Sequence, residues 1–168
     1  EMQTSLRALK QDILSEEQEE RLETIRERRI KREMARKEGE VFLAANTKKT
    51  GVTTLPSGLQ YKVIKTGKGS KPIATDTVIL HYRGTLLDGN EFDSTPENEP
   101  ESFPVKEVIP GLQEALQLMQ PGARWELYIP PELAFGRRGP LEDQTLIYDL
   151  ELLSIEPTGK ETAADKGS

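Results

Sequence analysis

The sequence predicts an α+β fold: an antiparallel β-sheet wrapped on one short α-helix, preceded by a long charged N-terminal helical arm. Residues 1–40 carry 11 acids and 10 bases, which indicates an ionic arm. The following part contains runs in which apolar and polar residues alternate, as half-buried antiparallel strands require. One later segment instead has the i, i+3, i+4, i+7 spacing of an amphipathic helix. A sheet and a helix of this kind pack as two layers.

The first part of the arm is expected to be a short amphipathic helix. Leu6, Leu9 and Ile13 recur at helical spacing, which predicts a helix that ends near Leu14. The sequence Ser15-Glu16-Glu17-Gln18 follows it. This is the pattern of a capping box, in which the Ser and Gln side chains satisfy free backbone N–H groups. A second helix is therefore predicted to begin there.

The second helix carries most of the charge of the arm. It has no Gly or Pro up to Glu38, and it can pass Gly39 to about Ala45 because Gly costs a helix only about 1 kcal/mol relative to Ala. Its apolar residues form a thin, drifting stripe, which supports an isolated helix poorly. Two alternatives stay open. The arm is a partner helix, most simply in a homodimer formed through residues 1–46, or a solvated monomeric spacer held by Glu–Arg pairs.

Charge and residue usage exclude several classes of function. The 168 residues include 29 acids, 23 bases, one His and no Cys, with a net charge of −6. The missing Cys residues exclude disulfide frameworks and thiol nucleophiles, and no apolar run approaches the roughly 20 residues of a membrane span. Residues 26–37 hold seven bases and two acids, but the acidic segment 16–23 cancels their field and no aromatic side chain is near to stack a base. We expect no nucleic-acid partner, no metal and no cofactor.

The rest of the chain divides by composition. Residues 47–58 are rich in helix and strand breakers, which predicts a linker that leads into a domain of residues 59–156. Four strands are predicted in this domain, at residues 59–66, 77–86, 123–129 and 145–155. Asp88-Gly89 indicates a hairpin after the second strand, and a helix is predicted over residues 111–120. Residues 157–168 contain no large apolar side chain and predict a disordered tail.

Aromatic and branched residues on separate elements are the remaining candidates for a site. They are Tyr82, Phe92, Phe103, Val108, Ile109, Leu112, Phe135 and Tyr148, with one acid, Asp93, beside Phe92. Spacing alone favours a hydrophobic core for these residues, and a binding pocket is the alternative.

Several motifs resemble the FK506-binding-protein family of peptidyl-prolyl isomerases. The longest is residues 81–94, His-Tyr-Arg-Gly-Thr-Leu-Leu-Asp-Gly-Asn-Glu-Phe-Asp-Ser. The others are Phe103-Pro104-Val105, Val108-Ile109-Pro110-Gly111, residues 114–119, Pro131-Glu132-Leu133-Ala134-Phe135-Gly136 and Asp149-Leu150-Glu151-Leu152-Leu153. They occur in order between about Gly51 and Glu156.

The segment before these motifs is similar to one bacterial subgroup of the family. Residues 40–43 and 51–61 look like the macrophage-infectivity-potentiator (Mip) subgroup, in which a long helix joins the isomerase domain to an N-terminal dimerisation region. This region would be short here, which implies a truncated chain or a reduced dimer.

The resemblance implies a peptidyl-prolyl cis-trans isomerase that accelerates prolyl-bond rotation during folding of proline-containing polypeptides. It places Tyr82, Asp93, Ile109 and Phe135 in catalysis, and Phe92, Phe103, Val108, Leu112 and Tyr148 in substrate binding. Asp93 would be the polar group at the pocket edge, and the backbone N–H of Ile109 would donate to a substrate carbonyl. Rotation about a prolyl bond makes and breaks no covalent bond, so neither a nucleophile nor a metal is needed.

Three features depart from the family pattern. Leu112 stands where Trp is common at the pocket floor, Phe135 stands where Tyr is common, and the loop at residues 136–144 is short. These departures imply a wider, shallower site with weakened affinity for macrolides. They also motivate an alternative function, a prolyl-peptide-binding chaperone or scaffold with little or no turnover.

The sequence also bears on the compartment. The chain has no Cys and begins with Glu1 rather than Met, which predicts a processed periplasmic protein. A cytoplasmic location is the alternative, because relatives with this layout are cytosolic.

Overall fold

One continuous helix precedes the sheet. The computed structural model describes the backbone of residues 2–156 and the side chains of residues 15–156, so the predicted tail at 157–168 lies outside the described residues. Helix α1 spans Met2–Asn46. The predicted division into two helices at Ser15 is therefore wrong, because neither Ser15 nor the acids after it interrupt a backbone that can go on forming i→i−4 hydrogen bonds. The predicted passage through Gly39 is confirmed.

Within the described residues, seven antiparallel strands and one further α-helix follow α1. In chain order they are β1 (Val52–Thr54), β2 (Gln60–Lys65), β3 (Thr77–Thr85), β4 (Glu91–Ser94), β5 (Glu101–Pro104), α2 (Pro110–Leu116), β6 (Arg124–Ile129) and β7 (Leu146–Glu156). The sheet has the order β1-β2-β6-β7-β3-β4. Strand β5 pairs with residues 77–80 of β3, and β4 pairs with residues 83–85 of the same strand. The α+β fold class and the four predicted strands, now β2, β3, β6 and β7, are confirmed.

The short strands were predicted less completely. The hairpin at Asp88-Gly89 joins β3 to β4, and Gly89 has φ +90° there. β1 lies inside the segment 47–58 that was predicted as a linker, and β5 was not predicted. Both are edge segments of three or four residues, and besides Pro104 each has a single apolar side chain, Val52 in β1 and Phe103 in β5, so they carry no alternating apolar signal.

Helix α2 packs on one face of the sheet and closes the core. Leu112, Ala115 and Leu116 of α2 are buried, as is Met119 just after it. The sheet supplies the facing side chains, which are Val78, Leu80, Trp125, Leu127, Ile129, Leu146, Tyr148, Leu150 and Leu152. The helix ends before the predicted residue 120 because the Leu118 N–H bonds to the Ala115 carbonyl, three residues back, as in a tightened last turn.

The C-terminal end of α1 is fastened to the sheet by a buried amide pair. Asn46 Nδ2 donates to Gln60 Oε1 at 2.8 Å, and Gln60 Nε2 donates to the Leu43 carbonyl at 2.9 Å. The ring of Phe42 lies 5.8 Å from that of Tyr128 on β6. Because Asn46 and Gln60 are buried and satisfied, these contacts fix where the helix meets the sheet.

Candidate active site

The predicted site residues converge on one apolar depression. It has a volume of about 190 Å³ and lies between α2, β3, β7 and the segment that follows the 3₁₀ turn Pro131–Leu133. Its lining residues are Leu80, Tyr82, Asp93, Phe103, Glu107, Val108, Ile109, Leu112, Phe135 and Tyr148. Eight of the nine predicted residues are in this set, and the ninth, Phe92, is not.

Phe92 supports the pocket from behind. Its ring packs edge-on against Tyr148 with the centroids 5.6 Å apart. A Cβ on Gly84 would lie 2.6 Å from Cζ of Phe92, so the ring occupies the space of the missing side chain. Gly84, the second-last residue of β3, therefore permits the ring to reach Tyr148.

The pocket floor comes from α2 and the neighbouring strands β3 and β7. Leu112 on α2 is 6% exposed, Leu80 on β3 is 1% exposed, and Tyr148 on β7 is 4% exposed. Leu80 was not predicted as a site residue because its alternation along β3 identifies it only as core. A Cβ on Gly111 would lie 2.6 Å from Cγ2 of Ile129, so glycine at that position allows α2 to approach β6 this closely.

Two side chains from adjacent strands form the polar edge of the pocket. The hydroxyl of Tyr82 on β3 donates to Oδ2 of Asp93 on β4 at 2.7 Å. Burial of the ring, followed by the hydrogen bond to Asp93, raises the pKa of Tyr82 well above its usual value near 10. The hydroxyl therefore stays protonated at neutral pH and remains a donor.

The aromatic rings around this edge are in mutual contact. Tyr82 lies 5.8 Å from Phe103 and 5.8 Å from Tyr148, centroid to centroid. Burial also raises the pKa of the Tyr148 hydroxyl, and the nearby charge of Asp93 adds to the shift. Tilted and edge-to-face arrangements at such distances are favourable for aromatic rings, so the wall is a connected aromatic surface.

The start of α2 offers a backbone donor to the pocket. Ile109 is the N-cap residue of α2, and its N–H makes no hydrogen bond to any residue described by the structure. The side chain of Gln113 donates to the Val108 carbonyl at 2.7 Å and fixes the turn that precedes the helix. Ile109 thus lines the pocket with a backbone N–H that has no partner among the described residues.

Glu107 and Phe135 also line the pocket. Glu107 ends the short 3₁₀ turn Val105–Glu107 and lines the pocket, but it was not predicted because it falls between two recognisable motifs. Phe135 is 36% exposed, the most open of the aromatic lining residues, and brings no hydroxyl. Among the described residues, no group of three or more acidic or His side chains is placed to hold a metal ion.

A second, larger depression is polar and lies on the outer face of the sheet. It measures about 570 Å³ and is lined mainly by charged side chains. Those side chains pair with one another, as Arg83 does with Glu91 and Arg124 with Asp149. We place the site in the smaller depression, because ligand sites are mostly apolar with a few directed polar groups.

Comparison with known proteins decides the family. Residues 68–153 match the family described as FKBP-type peptidyl-prolyl cis-trans isomerase, and residues 1–63 match the domain amino-terminal to it. The chain belongs to the FKBP-type peptidyl-prolyl cis-trans isomerase family. Within that family it is 47% identical over 141 residues to the FKBP-type 22 kDa peptidyl-prolyl cis-trans isomerase of Escherichia coli K12, covering 81% of this chain and 68% of that protein.

Other FKBP relatives are considerably longer than the matched part. The chain is 48% identical to the outer membrane protein MIP of Legionella longbeachae, covering 75% of this chain but 56% of that protein. The crystal structure of FkpA from Escherichia coli superposes with a TM-score of 0.71 at 39% identity, covering 77% of this chain and 64% of that one. The resemblance to the FK506-binding-protein family and its Mip-like subgroup is thereby confirmed.

Proposed function

We propose that this chain is a peptidyl-prolyl cis-trans isomerase that accelerates prolyl-bond rotation during protein folding. One observation carries the proposal, namely an apolar pocket whose polar edge is the hydrogen-bonded pair Tyr82–Asp93. The pocket has the size of a small side chain or ring rather than of an extended ligand. It belongs to a chain whose family is named for this reaction.

The reaction requires an apolar surface that binds the twisted amide, and the pocket provides one. Rotation about a peptide bond faces a barrier of roughly 18–20 kcal/mol because planarity is a resonance effect. The twisted amide is less dipolar than the planar one, so an apolar surface with few polar groups binds it better than either planar isomer. In this proposal, Phe103, Val108 and Tyr148 surround the proline ring and the Ile109 N–H binds the substrate carbonyl beside it.

A proline-limited refolding assay tests the proposal. Micromolar protein should accelerate the slow refolding phase, and Phe92→Ala and Asp93→Asn should each reduce the acceleration severalfold. Asp149→Asn is the matched control, because it removes one carboxylate from the outer face of the sheet and should leave the rate unchanged. No acceleration by the unaltered chain would refute isomerase activity.

A prolyl-peptide-binding chaperone or scaffold with little turnover is the second candidate. Its specific support is the pair of departures Leu112 and Phe135, both of which line the pocket. Prolyl-peptide binding that depends on Phe92, without acceleration of refolding, would favour this function over the first.

We also propose that residues 1–46 form a dimerisation arm, that residues 47–58, which contain the edge strand β1, are the linker and domain entry, and that residues 59–156 are the catalytic domain. Among the arm residues whose side chains the structure describes, the exposed large apolar ones are Leu22, Ile25, Ile30, Met34 and Val41. A second copy of the helix is the simplest way to cover them. Sedimentation should give a dimer at tens of micromolar, and a monomer there would contradict the proposal.

A periplasmic location is proposed on two grounds. The chain has no Cys to be oxidised in that compartment, and the relative from Legionella longbeachae is named an outer membrane protein. In the described residues, no helix has both the length and the hydropathy to cross a bilayer. Fractionation of the source cells should recover the protein with periplasmic markers, whereas recovery with cytoplasmic markers would support the alternative.

A further inference from the structure

The loop between Phe135 and β7 is fastened to helix α1 through a buried acid. Asp143 is 3% exposed, and its Oδ1 accepts a 2.7 Å hydrogen bond from Nη2 of Arg36. The backbone N–H of Asp143 donates to the Gly136 carbonyl at 2.6 Å, which closes the loop on itself. Arg36 is therefore connected, through two successive hydrogen bonds, to Gly136, the residue that follows Phe135.

Two further contacts hold the same loop against α1. Nε of Arg28 lies 3.0 Å from Oε1 of Glu142. A Cβ on Gly39 would lie only 2.1 Å from Oγ1 of Thr145, so helix and loop approach as closely as a glycine permits. From Arg28 to Gly39, about three helical turns make contact with one short loop.

Both ends of this loop lead directly into the pocket. Gly136 follows Phe135, which lines the pocket mouth. At the other end, Leu146 begins β7, and Tyr148 on the same face of that strand is part of the buried wall. Because Tyr148 is held by the sheet on both sides, a change in the loop acts mainly on Phe135.

We infer that Arg36 and Asp143 are positioning residues that hold Phe135 at the pocket mouth and thereby set the preference for the residue beside the substrate proline. The inference rests on the proposed isomerase function. Phe135 is the most exposed aromatic residue of the pocket wall, so its ring meets the part of the substrate outside the proline ring. The helical arm is then a component of the site as well as the proposed dimerisation arm.

The physical basis is the cost of leaving Asp143 buried without its partner. A buried carboxylate that loses its cation is strongly destabilised, and outward movement of the loop is a way for Asp143 to regain hydration. Outward movement of the loop draws Gly136 with it through the Asp143–Gly136 hydrogen bond. Phe135 then loses its fixed place at the pocket mouth.

The test compares two neighbouring cations of α1. Arg36→Gln removes the partner of Asp143, and Lys37→Gln removes an equal charge from an exposed residue that forms no ion pair among the described residues. Arg36→Lys restores the charge. Each variant is assayed on prolyl peptides with Ala or Leu before proline, and amide exchange is followed over residues 136–145.

Arg36→Gln should change the ratio of kcat/KM for the Leu-Pro peptide to that for the Ala-Pro peptide by about 2- to 30-fold. Mutations that alter the coupling between two sites have effects of this size. Arg36→Gln should also accelerate amide exchange in the loop, while Lys37→Gln changes neither and Arg36→Lys returns both toward the original values. A uniform loss on both peptides, or unchanged exchange, would overturn the inference. Inactivity of the unaltered chain would instead refute the proposed function, and exchange would still report whether Arg36 holds the loop.

Discussion

The hydroxyl of Tyr82 and Oδ2 of Asp93 are 2.7 Å apart and join strands β3 and β4 at the edge of the apolar pocket. In the sheet register, Asp93 is opposite Gly84, two residues along β3 from Tyr82. The diagonal placement allows the long Tyr side chain to reach the carboxylate. Because the bond is made by a neutral donor to a charged acceptor, it orients Asp93 without neutralising it.

Tyr82→Phe should lower kcat/KM for prolyl isomerisation by about tenfold, which corresponds to about 1.4 kcal/mol in the barrier. The ring and its contacts stay, but Asp93 loses the donor that orients it. Tyr128→Phe is the matched control, since the Tyr128 hydroxyl also donates to a carboxylate, that of Glu126, away from the pocket. Equal losses in the two variants would show that the Tyr82–Asp93 bond has no special role.

The stability of the protein should fall at high pH because of Tyr148. Burial raises the pKa of this hydroxyl above its unfolded value near 10, so the folded state retains a proton that the unfolded state has lost. The contribution of this hydroxyl to the free energy of unfolding is fully present below pH 10. It declines as the pH rises above 10 toward the pKa of the folded state. In that window the free energy of unfolding should fall by about 1.4 kcal/mol per pH unit for this proton.

Tyr148→Phe isolates that contribution. Urea unfolding between pH 8 and pH 11 should give a smaller slope above pH 10 for the variant than for the unaltered protein, with matching slopes below pH 10. Identical slopes above pH 10 would mean that Tyr148 ionises as freely when folded as when unfolded.

The sequence was sufficient for the regular parts of the fold, because their signals are periodic. The alternation in β3, β6 and β7 and the helical spacing of α2 reflect burial on one face, which is a property of the residues themselves. The break predicted at Ser15 failed for the opposite reason. A capping pattern is compatible with the start of a helix but does not require one. Uninterrupted helix formers on both sides of Ser15 allowed the helix to continue.

The site was less accessible to sequence reasoning than the fold. Residues such as Tyr82 and Leu112 could be proposed only through the family resemblance, because spacing does not separate a pocket wall from a core. The contacts of Arg36 with Asp143 and of Gly39 with Thr145 join positions over a hundred residues apart. No local pattern contains such pairs, so they required the three-dimensional structure.

Gly39→Ala should destabilise the protein although it improves the helix. The added methyl group should gain about 1 kcal/mol in helix propensity, but its carbon would lie 2.1 Å from Oγ1 and 3.2 Å from Cβ of Thr145. Overpacking of this kind costs about 1–3 kcal/mol. We therefore expect a net loss of stability in thermal or urea unfolding.

A double variant checks this explanation. Oγ1 of Thr145 is buried with no hydrogen-bond partner among the described residues, so Thr145→Ala should be tolerated. In the Thr145→Ala background, Gly39→Ala should cost clearly less stability, because the 2.1 Å clash with Oγ1 is gone and only the 3.2 Å contact with Cβ remains. A destabilisation of the same size in both backgrounds would place the cause elsewhere than in this contact.

Replacing Phe135 by Tyr should raise the affinity of the pocket for macrolides. We propose that macrolides bind this pocket weakly because Phe135 lines it without a hydroxyl donor and Leu112 leaves its floor without a large aromatic ring. Phe135→Tyr adds one hydrogen bond, worth about 0.5–1.5 kcal/mol, so FK506 should bind about 2- to 10-fold more tightly by calorimetry. Phe42→Tyr adds the same hydroxyl next to Tyr128 and should leave the affinity unchanged. If Leu112→Trp strengthens binding and Phe135→Tyr does not, the missing aromatic floor, and not the missing donor, limits affinity.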